Sequence, residues 1–452
     1  MSGQAASVSA PAAAFLAPSR IYECSDCGQF QGVPALHPKT TVACLRCDAV
    51  LRRTRRDPFG VPLALYLAAL VLLVISAGTP MMSVSRVGLH HEADLFSGPI
   101  GLQAHGMWEL GALVLFTTIG APLVTVLGNI YVLAGLRLAK PPRHLRAVFA
   151  TLIHLRPWSM IEVYLLGVFV AYTKLGALVR IDIGIGLYAL GGLLLTMIVA
   201  DAMSDPQAVW EAMDFRGLTR GQAADPGPDA IGCHTCHLVG RPVARGRCRR
   251  CFSRLHGRKP DSVPRTWALL IAAAVLYIPA NVYPVLSVIQ LGSGSPSTIL
   301  GGAKELLDGG LWPLAALVFF ASVAVPMLKL FGLSLLLIGV QRGWTGRLRD
   351  RTTLYRIVRW IGRWSMIDIF MESILVALVQ FGGLVTIDPG GGAIAFAGVV
   401  VLTMFAAESF DPRLTWDAAG ERSSLSAPGT GTGAARPVPR QARQGGYGDV
   451  TA

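Results

Sequence analysis

Long apolar runs alternate along this chain with short basic stretches, and the runs set the first expectation. Eight approach 20 residues, at roughly 60–82, 108–136, 158–180, 183–203, 266–289, 311–340, 364–385 and 390–407. A helix of that length crosses a bilayer core about 30 Å thick and satisfies its own backbone polar groups. The short alternating segments of a β-barrel are not what these runs show. The pattern predicts an all-α polytopic membrane protein with eight transmembrane helices.

Composition agrees. The 452 residues are 52% apolar and only 15% charged, against about 25% charge in soluble domains. The net charge of +13 would suit nucleic acid, but its distribution argues against such a partner. Lys and Arg number seven in residues 1–58, five from Arg137 to Arg156, eleven in 204–265 and seven in 341–363. The intervening loops are nearly free of them. This positive-inside pattern predicts that both termini and both cysteine clusters are cytoplasmic. No basic start and apolar core mark residues 1–19 as a secretory signal, and residues 418–452 have the composition of a disordered tail.

The chain is written twice. RPWSMIEVYLLG at 156–167 returns as GRWSMIDIFMES at 362–373, and SDPQAVWE at 204–211 returns as FDPRLTWD at 410–417, each offset by 206. Earlier the offset is 204: TPMMSV at 79–84 meets YPVLSV at 283–288, and APLVTVLG at 121–128 meets VPMLKLFG at 325–332. Two parallel four-helix repeats follow, each preceded by a small cysteine module, with their shared seam as the natural substrate path. The predicted segments are a disordered 1–19, a ribbon at 20–57, four spans in 58–204, a linker at 205–229, a second ribbon at 230–260, four spans in 261–410 and the 418–452 tail.

All eight cysteines fall in the two modules, Cys24, Cys27, Cys44 and Cys47, then Cys233, Cys236, Cys248 and Cys251. Cys233, Cys236 and His237 also spell the C-x-x-C-H of c-type haem attachment. That reading leaves Cys248 and Cys251 unused and has no counterpart in the first module, where Gly28 follows Cys27. Paired C-x-x-C turns instead suit a closed tetrahedral site of the zinc-ribbon or rubredoxin-like kind, with no open position for catalysis. Two zinc ions are expected, although tetrathiolate iron fits the same ligands.

Polar residues inside apolar runs are costly and mark function. Glu162 and Asp368 hold equivalent places in the third run of each repeat. Lys174, with Gln380 as its counterpart, and Lys329 lie deep, and Glu109, Asn129 and Glu372 are further candidates for an interior network. Pro80, Pro122, Pro284 and Pro326 recur at matching places and would kink or interrupt helices along a pathway. Asp182 and Asp388 precede Gly-rich runs as helix N-caps. No nucleotide-binding loop, nucleophile elbow or zinc-protease motif occurs, so no enzyme is indicated.

Doubled ribbons beside a doubled W-S-M-[ILV]-[ED] signature, at Trp158–Glu162 and Trp364–Asp368, resemble the paraquat-inducible protein A family over about residues 20–417. The resemblance implies an integral protein of the Gram-negative inner membrane that passes phospholipid to a periplasmic MCE-domain protein forming a tunnel. An outer-membrane lipoprotein is a further partner in that picture. It also implies that the eight cysteines are metal ligands. Two other readings stand beside it: a non-transporting scaffold whose ribbons bind cytoplasmic partners, and a thiolate-iron redox protein.

Overall fold

The computed structural model describes residues 20–34, 36–86, 89–176, 180–219, 230–243, 246–290, 293–310, 312–378, 385–420 and 436–438. After the first ribbon, α1 (Gly60–Gly78) carries the chain to a hairpin of β5 (Met82–Arg86) and β6 (Leu89–Ala93). A short α2 (Ser97–Ala104) leads into α3 (Trp108–Leu115), a π-helical turn over Phe116–Gly120 and α4 (Ala121–Gly135). These three pieces form one long rod. Then come α5 (Leu145–Leu155), a 3-10 turn at Arg156–Trp158, α6 (Ile161–Gly176), the strand β7 (Arg180–Ile183), α7 (Ile185–Met203) and α8 (Pro206–Phe215). The second half repeats this order with α9 (Ser262–Val282), β10 (Leu286–Gln290), β11 (Ser293–Ser297), α10 (Ile299–Asp308), α11 (Trp312–Phe319), a π turn at Phe320–Ala324, and α12 (Val325–Gln341). It closes with α13 (Leu348–Ile361), a 3-10 turn at Gly362–Met366, α14 (Ile367–Leu378), β12 (Val385–Pro389), α15 (Gly391–Ser409) and α16 (Arg413–Ala418).

Six helical rods, not eight, are long and apolar enough to cross a membrane among the described residues: Gly60–Gly78, Trp108–Gly135, Ile185–Met203, Ser262–Val282, Trp312–Gln341 and Gly391–Ser409. The expectation of eight spans in two four-helix repeats is therefore overturned. The third run of each half gives a 16-residue α6 and a 12-residue α14, about 24 and 18 Å of helix. Among the described residues, its other letters fall in the 3-10 turn before each helix and at the start of the strand that follows. Every residue of α14 is buried. Apolarity there serves packing against protein rather than lipid, a distinction that hydropathy does not carry.

At the end of the bundle away from the ribbons, each half builds a three-stranded antiparallel sheet, ordered β6-β5-β7 and β11-β10-β12. Residues expected as N-caps lie in these sheets: Asp182 pairs with Ser83, and Asp388 with Ser287. The cap positions are taken instead by Gly184 and Gly390, without a side-chain bond. Glycine is required because a Cβ would stand 2.2 Å from the Pro80 carbonyl oxygen at Gly184 and 2.1 Å from that of Pro284 at Gly390. Those same carbonyls accept the amides of Gly186 and Gly392 at 3.1 and 3.0 Å.

Pro80 and Pro284 thus mark the ends of α1 and α9 rather than kinks within spans. Pro122 and Pro326 do lie inside long rods, at the first turn of α4 and α12 directly after the π turns. The wider π turn accommodates a ring that cannot continue the normal hydrogen-bond ladder.

In each half the first and last spans, α1 with α7 and α9 with α15, pack along their lengths. The halves meet where α14 packs against α6 and α2. Small residues allow the approach: a Cβ on Gly167 would lie 2.9 Å from the Phe370 Cβ, and one on Gly98 2.3 Å from the Ser373 Oγ. Tyr164 and Phe370 stack edge to face across the seam with centroids 5.5 Å apart. Beyond α16, Arg436–Val438 adds a strand beside Thr41–Ala43 of the first ribbon.

Candidate functional site: two thiolate centres and a polar seam

The first ribbon is two hairpins, β1 (Arg20–Glu23) with β2 (Phe30–Val33) and β3 (Thr41–Ala43) with β4 (Val50–Arg53). Each turn offers two cysteines. In every one of the four C-x-x-C turns, the residue after the second cysteine adopts a left-handed backbone, at Gly28, Asp48, His237 and Phe252. Its amide returns to the carbonyl of the first cysteine at 2.8–3.1 Å. His237 is thus the turn residue of a metal knuckle, not a haem ligand.

The sulfurs of Cys24, Cys27, Cys44 and Cys47, and those of Cys233, Cys236, Cys248 and Cys251, form two buried groups, each within 4.8 Å. Across the hairpins the Sγ–Sγ distances are 3.5 Å for Cys24–Cys47, 3.6 Å for Cys27–Cys44, 3.4 Å for Cys233–Cys251 and 3.5 Å for Cys236–Cys248. A tetrahedral zinc with Zn–S near 2.3 Å needs sulfurs about 3.8 Å apart. Both groups fit such an ion after a small expansion. Gln31 Nε2 donates to Cys44 Sγ at 3.0 Å and Arg356 Nη2 to Cys47 Sγ at 3.4 Å, contacts that hold thiolates in place.

Each ribbon is tied to both halves: Arg52 of the first pairs with Glu211 of α8 and Arg258 of the second with Asp417 of α16, and each also reaches the opposite half. In the first, Asp26 pairs with Arg356 of α13 at 2.7 Å, and Arg46 lies 4.3 Å over the Trp416 ring of α16. In the second, Arg250 Nε reaches Asp214 of α8 at 2.9 Å, and Arg146 of α5 lies 4.1 Å over Phe252.

The ribbons also touch one another at equivalent positions. Glu23 and Gly232 each precede the first cysteine, and the Glu23 carboxylate accepts the Gly232 amide at 2.7 Å. Arg413, 1% exposed, closes this junction. It donates to Glu23 at 2.7 Å, to Asp411 at 3.0 and 2.9 Å, and to His234 Nε2 at 2.7 Å. Arginine only donates, so that imidazole nitrogen must accept. Burial by itself raises the Asp411 carboxyl, but Arg413's hydrogen bonds and charge outweigh it and hold the pKa below the usual carboxylate range.

The intramembrane candidates divide into separate places. Glu162, at the start of α6, pairs with Arg363 of the other half at 2.9 Å. Asp368 is its sequence equivalent, but position 157, equivalent to Arg363, is proline. Arg156 beside it is committed to Asp201 at 2.8 Å. Asp368 is consequently buried without an arginine partner, with the Ser322 hydroxyl as a donor beside its carboxylate, and one turn on Glu372 Oε1 has no hydrogen-bond partner. Ser365 and Ser373 add buried hydroxyls without partners. Lys174, from α6, attracts both carboxylates electrostatically.

Lys329 stands apart. It is 1% exposed and donates to Thr403 of α15 at 3.2 Å, with the Gly362 backbone above its stem. Among the described residues no carboxylate lies within ion-pair distance of it. Asn129 bonds back to the Thr125 carbonyl of its own helix at 2.7 Å. Glu109 is exposed in the first turn of α3. Gln380 lies outside the described residues.

A further contact crosses between halves at the sheet end, where His105 Nε2, after α2, lies 3.3 Å from the Asp388 carboxylate of β12. Sequence reasoning missed His105, Arg363, Glu23 and Arg413. Arg363 and Arg413 carried a signal, as arginines that one copy of a repeated motif has and the other replaces, with Pro157 and Gln207.

Comparison with known proteins follows the repeat. The family described as Paraquat-inducible protein A matches residues 61–214 and 263–420. The Intermembrane transport protein PqiA of Escherichia coli K12 is 34% identical over 401 residues, covering 87% of this chain and 95% of that protein. The Lipophilic envelope-spanning tunnel protein A of the same strain is 32% identical over 395 residues, covering 87% and 91%. A Probable intermembrane transport protein of Haemophilus influenzae is 28% identical over 413 residues, covering 88% and 96%. No solved structure gives a significant match. The chain belongs to the paraquat-inducible protein A family, as a polytopic helical membrane protein carrying two four-cysteine metal-binding modules.

Proposed function

We propose that this protein is the inner-membrane component of an intermembrane lipid transport system, passing phospholipid between that membrane and a periplasmic MCE-domain tunnel. The relatives named as intermembrane transport and envelope-spanning tunnel proteins cover most of the chain. The observation that carries the reading is α14, a helix enclosed between two halves and lined with buried, unpartnered polar groups. Such a seam suits a path for an amphiphile whose headgroup must cross apolar surroundings.

The ribbons, closed by four thiolates each, act in this reading as metal-stiffened clamps with both centres on the cytoplasmic side. Metal binding there contributes folding energy and no open coordination position. Glu162–Arg363 and His105–Asp388 hold the halves together toward opposite ends of the seam.

The test is a crosslinked pull-down from native membranes in mild detergent, read for proteins and lipids together. Recovery of an MCE-domain protein with phospholipid is expected. Recovery of cytoplasmic proteins alone would overturn the reading in favour of a scaffold.

A further inference from the structure

We propose that the two four-cysteine centres hold their ions unequally. The first keeps its metal through two outer donors, Gln31 and Arg356. The second is an exchangeable site for a thiophilic divalent ion, and its occupancy follows the metal available to it.

Burial does not set the centres apart. The four cysteines of each are 0–5% exposed. Sulfur spacing does not either, at 3.5–3.6 Å across the first pair of hairpins and 3.4–3.5 Å across the second. The Arg413 junction touches both ribbons, through Glu23 and His234.

What differs is the set of side-chain donors behind the thiolates. Gln31 is 1% exposed. Its Nε2 donates to Cys44 Sγ at 3.0 Å, and its Oε1 accepts the Leu45 amide at 3.2 Å. One carboxamide thus clamps the second knuckle of the ribbon to the first hairpin. Arg356 donates to Cys47 Sγ at 3.4 Å and to the Cys47 carbonyl at 2.9 Å, with its Nε on Asp26 at 2.7 Å. An N–H aimed at sulfur favours the thiolate over the thiol, so a proton competes less well with the metal. Losing such an outer contact typically costs about 10–100-fold in metal affinity.

The second ribbon is the internal control. Gln31 stands four residues after Cys27 and opposite Tyr22, and the residue four after Cys236, opposite Ile231, is Gly240. At the offset of 206 that relates Trp158 to Trp364, the place of Arg356 is taken by Ala150. Both outer donors are therefore missing from the second centre. Among the described residues, the side-chain donor beside its thiolates is the Ser253 hydroxyl, at Cys251. The Cys248–Cys251 turn also carries this ribbon's grip on the first half, through Arg250 on Asp214 of α8 and Phe252 beneath Arg146 of α5. Emptying the second centre releases that grip, while the first ribbon stays engaged with α13.

The experiment takes the full chain, loaded with zinc in mild detergent, into excess chelator. Zinc release is followed optically, and freed cysteines are pulse-alkylated and mapped by mass spectrometry. Wild type should release one equivalent about tenfold or more faster than the other, with the four cysteines of the second centre labelled first. Hydrogen exchange in residues 206–215 should rise in that fast phase and stay low in 348–361. Gln31→Ala should speed the slow phase about tenfold or more and leave the fast one unchanged. Gly240→Gln, built where a Cβ meets open space, should slow the fast phase. With cobalt in place of zinc, Gln31→Ala should move the sulfur-to-metal charge-transfer band of the first centre to lower energy, which a loosened fold alone would not do. If Gln31→Ala does not fold, Gly240→Gln carries the test, and a fast phase unchanged by it would overturn the role of the outer donors. Release of both equivalents from wild type in one phase, or first labelling of the Cys24–Cys47 centre, would overturn the proposal outright.

Discussion

Replacing Arg413 with Met should loosen both metal ribbons although it touches no cysteine. The guanidinium is 1% exposed and bonds Glu23 of the first ribbon, His234 of the second and Asp411 at the head of α16. Removing one member of a buried ion pair costs about 3–5 kcal/mol, because the partner charge remains buried. The low end applies here. Glu23 keeps the Gly232 amide and a longer contact to Arg258 at 3.4 Å, and Asp411 keeps the Lys259 amide at 3.0 Å. A loss of about 3 kcal/mol raises the opening equilibrium about a hundredfold, since each 1.4 kcal/mol is a factor of ten. Modification of the ribbon thiols by a chromogenic disulfide, measured on the full chain in detergent with a metal chelator present, reads that opening directly. Arg413→Met should react about a hundredfold faster than wild type. Arg413→Lys should fall between them, because a point ammonium cannot reproduce the bidentate contact to Asp411. A rate for Arg413→Met within threefold of wild type would refute the view that the ribbons are held as one unit through this residue.

Four further outcomes follow from particular contacts. Pro157→Arg would supply the partner that Asp368 lacks by symmetry; it should raise the thermal midpoint and depress transport, and a lowered midpoint with normal transport would count against the broken-pair account. Gly392→Ala sets a Cβ 2.6 Å from the Tyr283 carbonyl oxygen; overpacking costs about 1–3 kcal/mol, so folded yield after extraction should fall, while Gly391→Ala, with open space around it, should be silent. Because Asp411 has a depressed pKa in the folded protein, its contribution is present above its unfolded pKa of about 3.9 and lost as pH falls through the lower folded value. Wild type should therefore lose stability steeply in that acid range, and Asp411→Asn, less stable at neutral pH, should show a shallower slope in melts across it. Cys44→Ser should abolish one metal equivalent per chain and free the first ribbon from α13 and α16, read as loss of a crosslink between residues 26 and 356; two equivalents retained would contradict the ligand assignment.

Much of this was legible in the sequence because it depends on local rules. Two C-x-x-C pairs per module give metal knuckles almost wherever they occur. The repeat of RPWSMIEVYLLG as GRWSMIDIFMES marked α6 and α14 as equivalent elements, although nothing in it placed them at the seam. What hydropathy could not separate was lipid-facing from protein-facing apolarity, so the α6 and α14 runs read as spans. The strands were hidden for a related reason. Segments such as RIDI and VTIDP are only four or five residues long and adjoin helical runs that mask their alternation. Polar candidates chosen by depth alone scattered: Glu109 faces outward and Asn129 satisfies itself on its own helix. Depth identifies what is costly, while partnership depends on which helices face each other. Comparing the two copies was the better guide, since Arg363 against Pro157 exposes the unpaired acid.

The most direct test of lipid passage along the seam is photo-crosslinking of the full chain in membranes with a phospholipid bearing a diazirine near its headgroup. Peptide mapping by mass spectrometry then locates the adducts. Adducts should concentrate on residues 158–174 and 364–378, and fall when Asp368 and Glu372 are changed to their amides. Adducts confined to the outward faces of α1, α7, α9 and α15, with both seam peptides unlabelled, would contradict a lipid path between the halves.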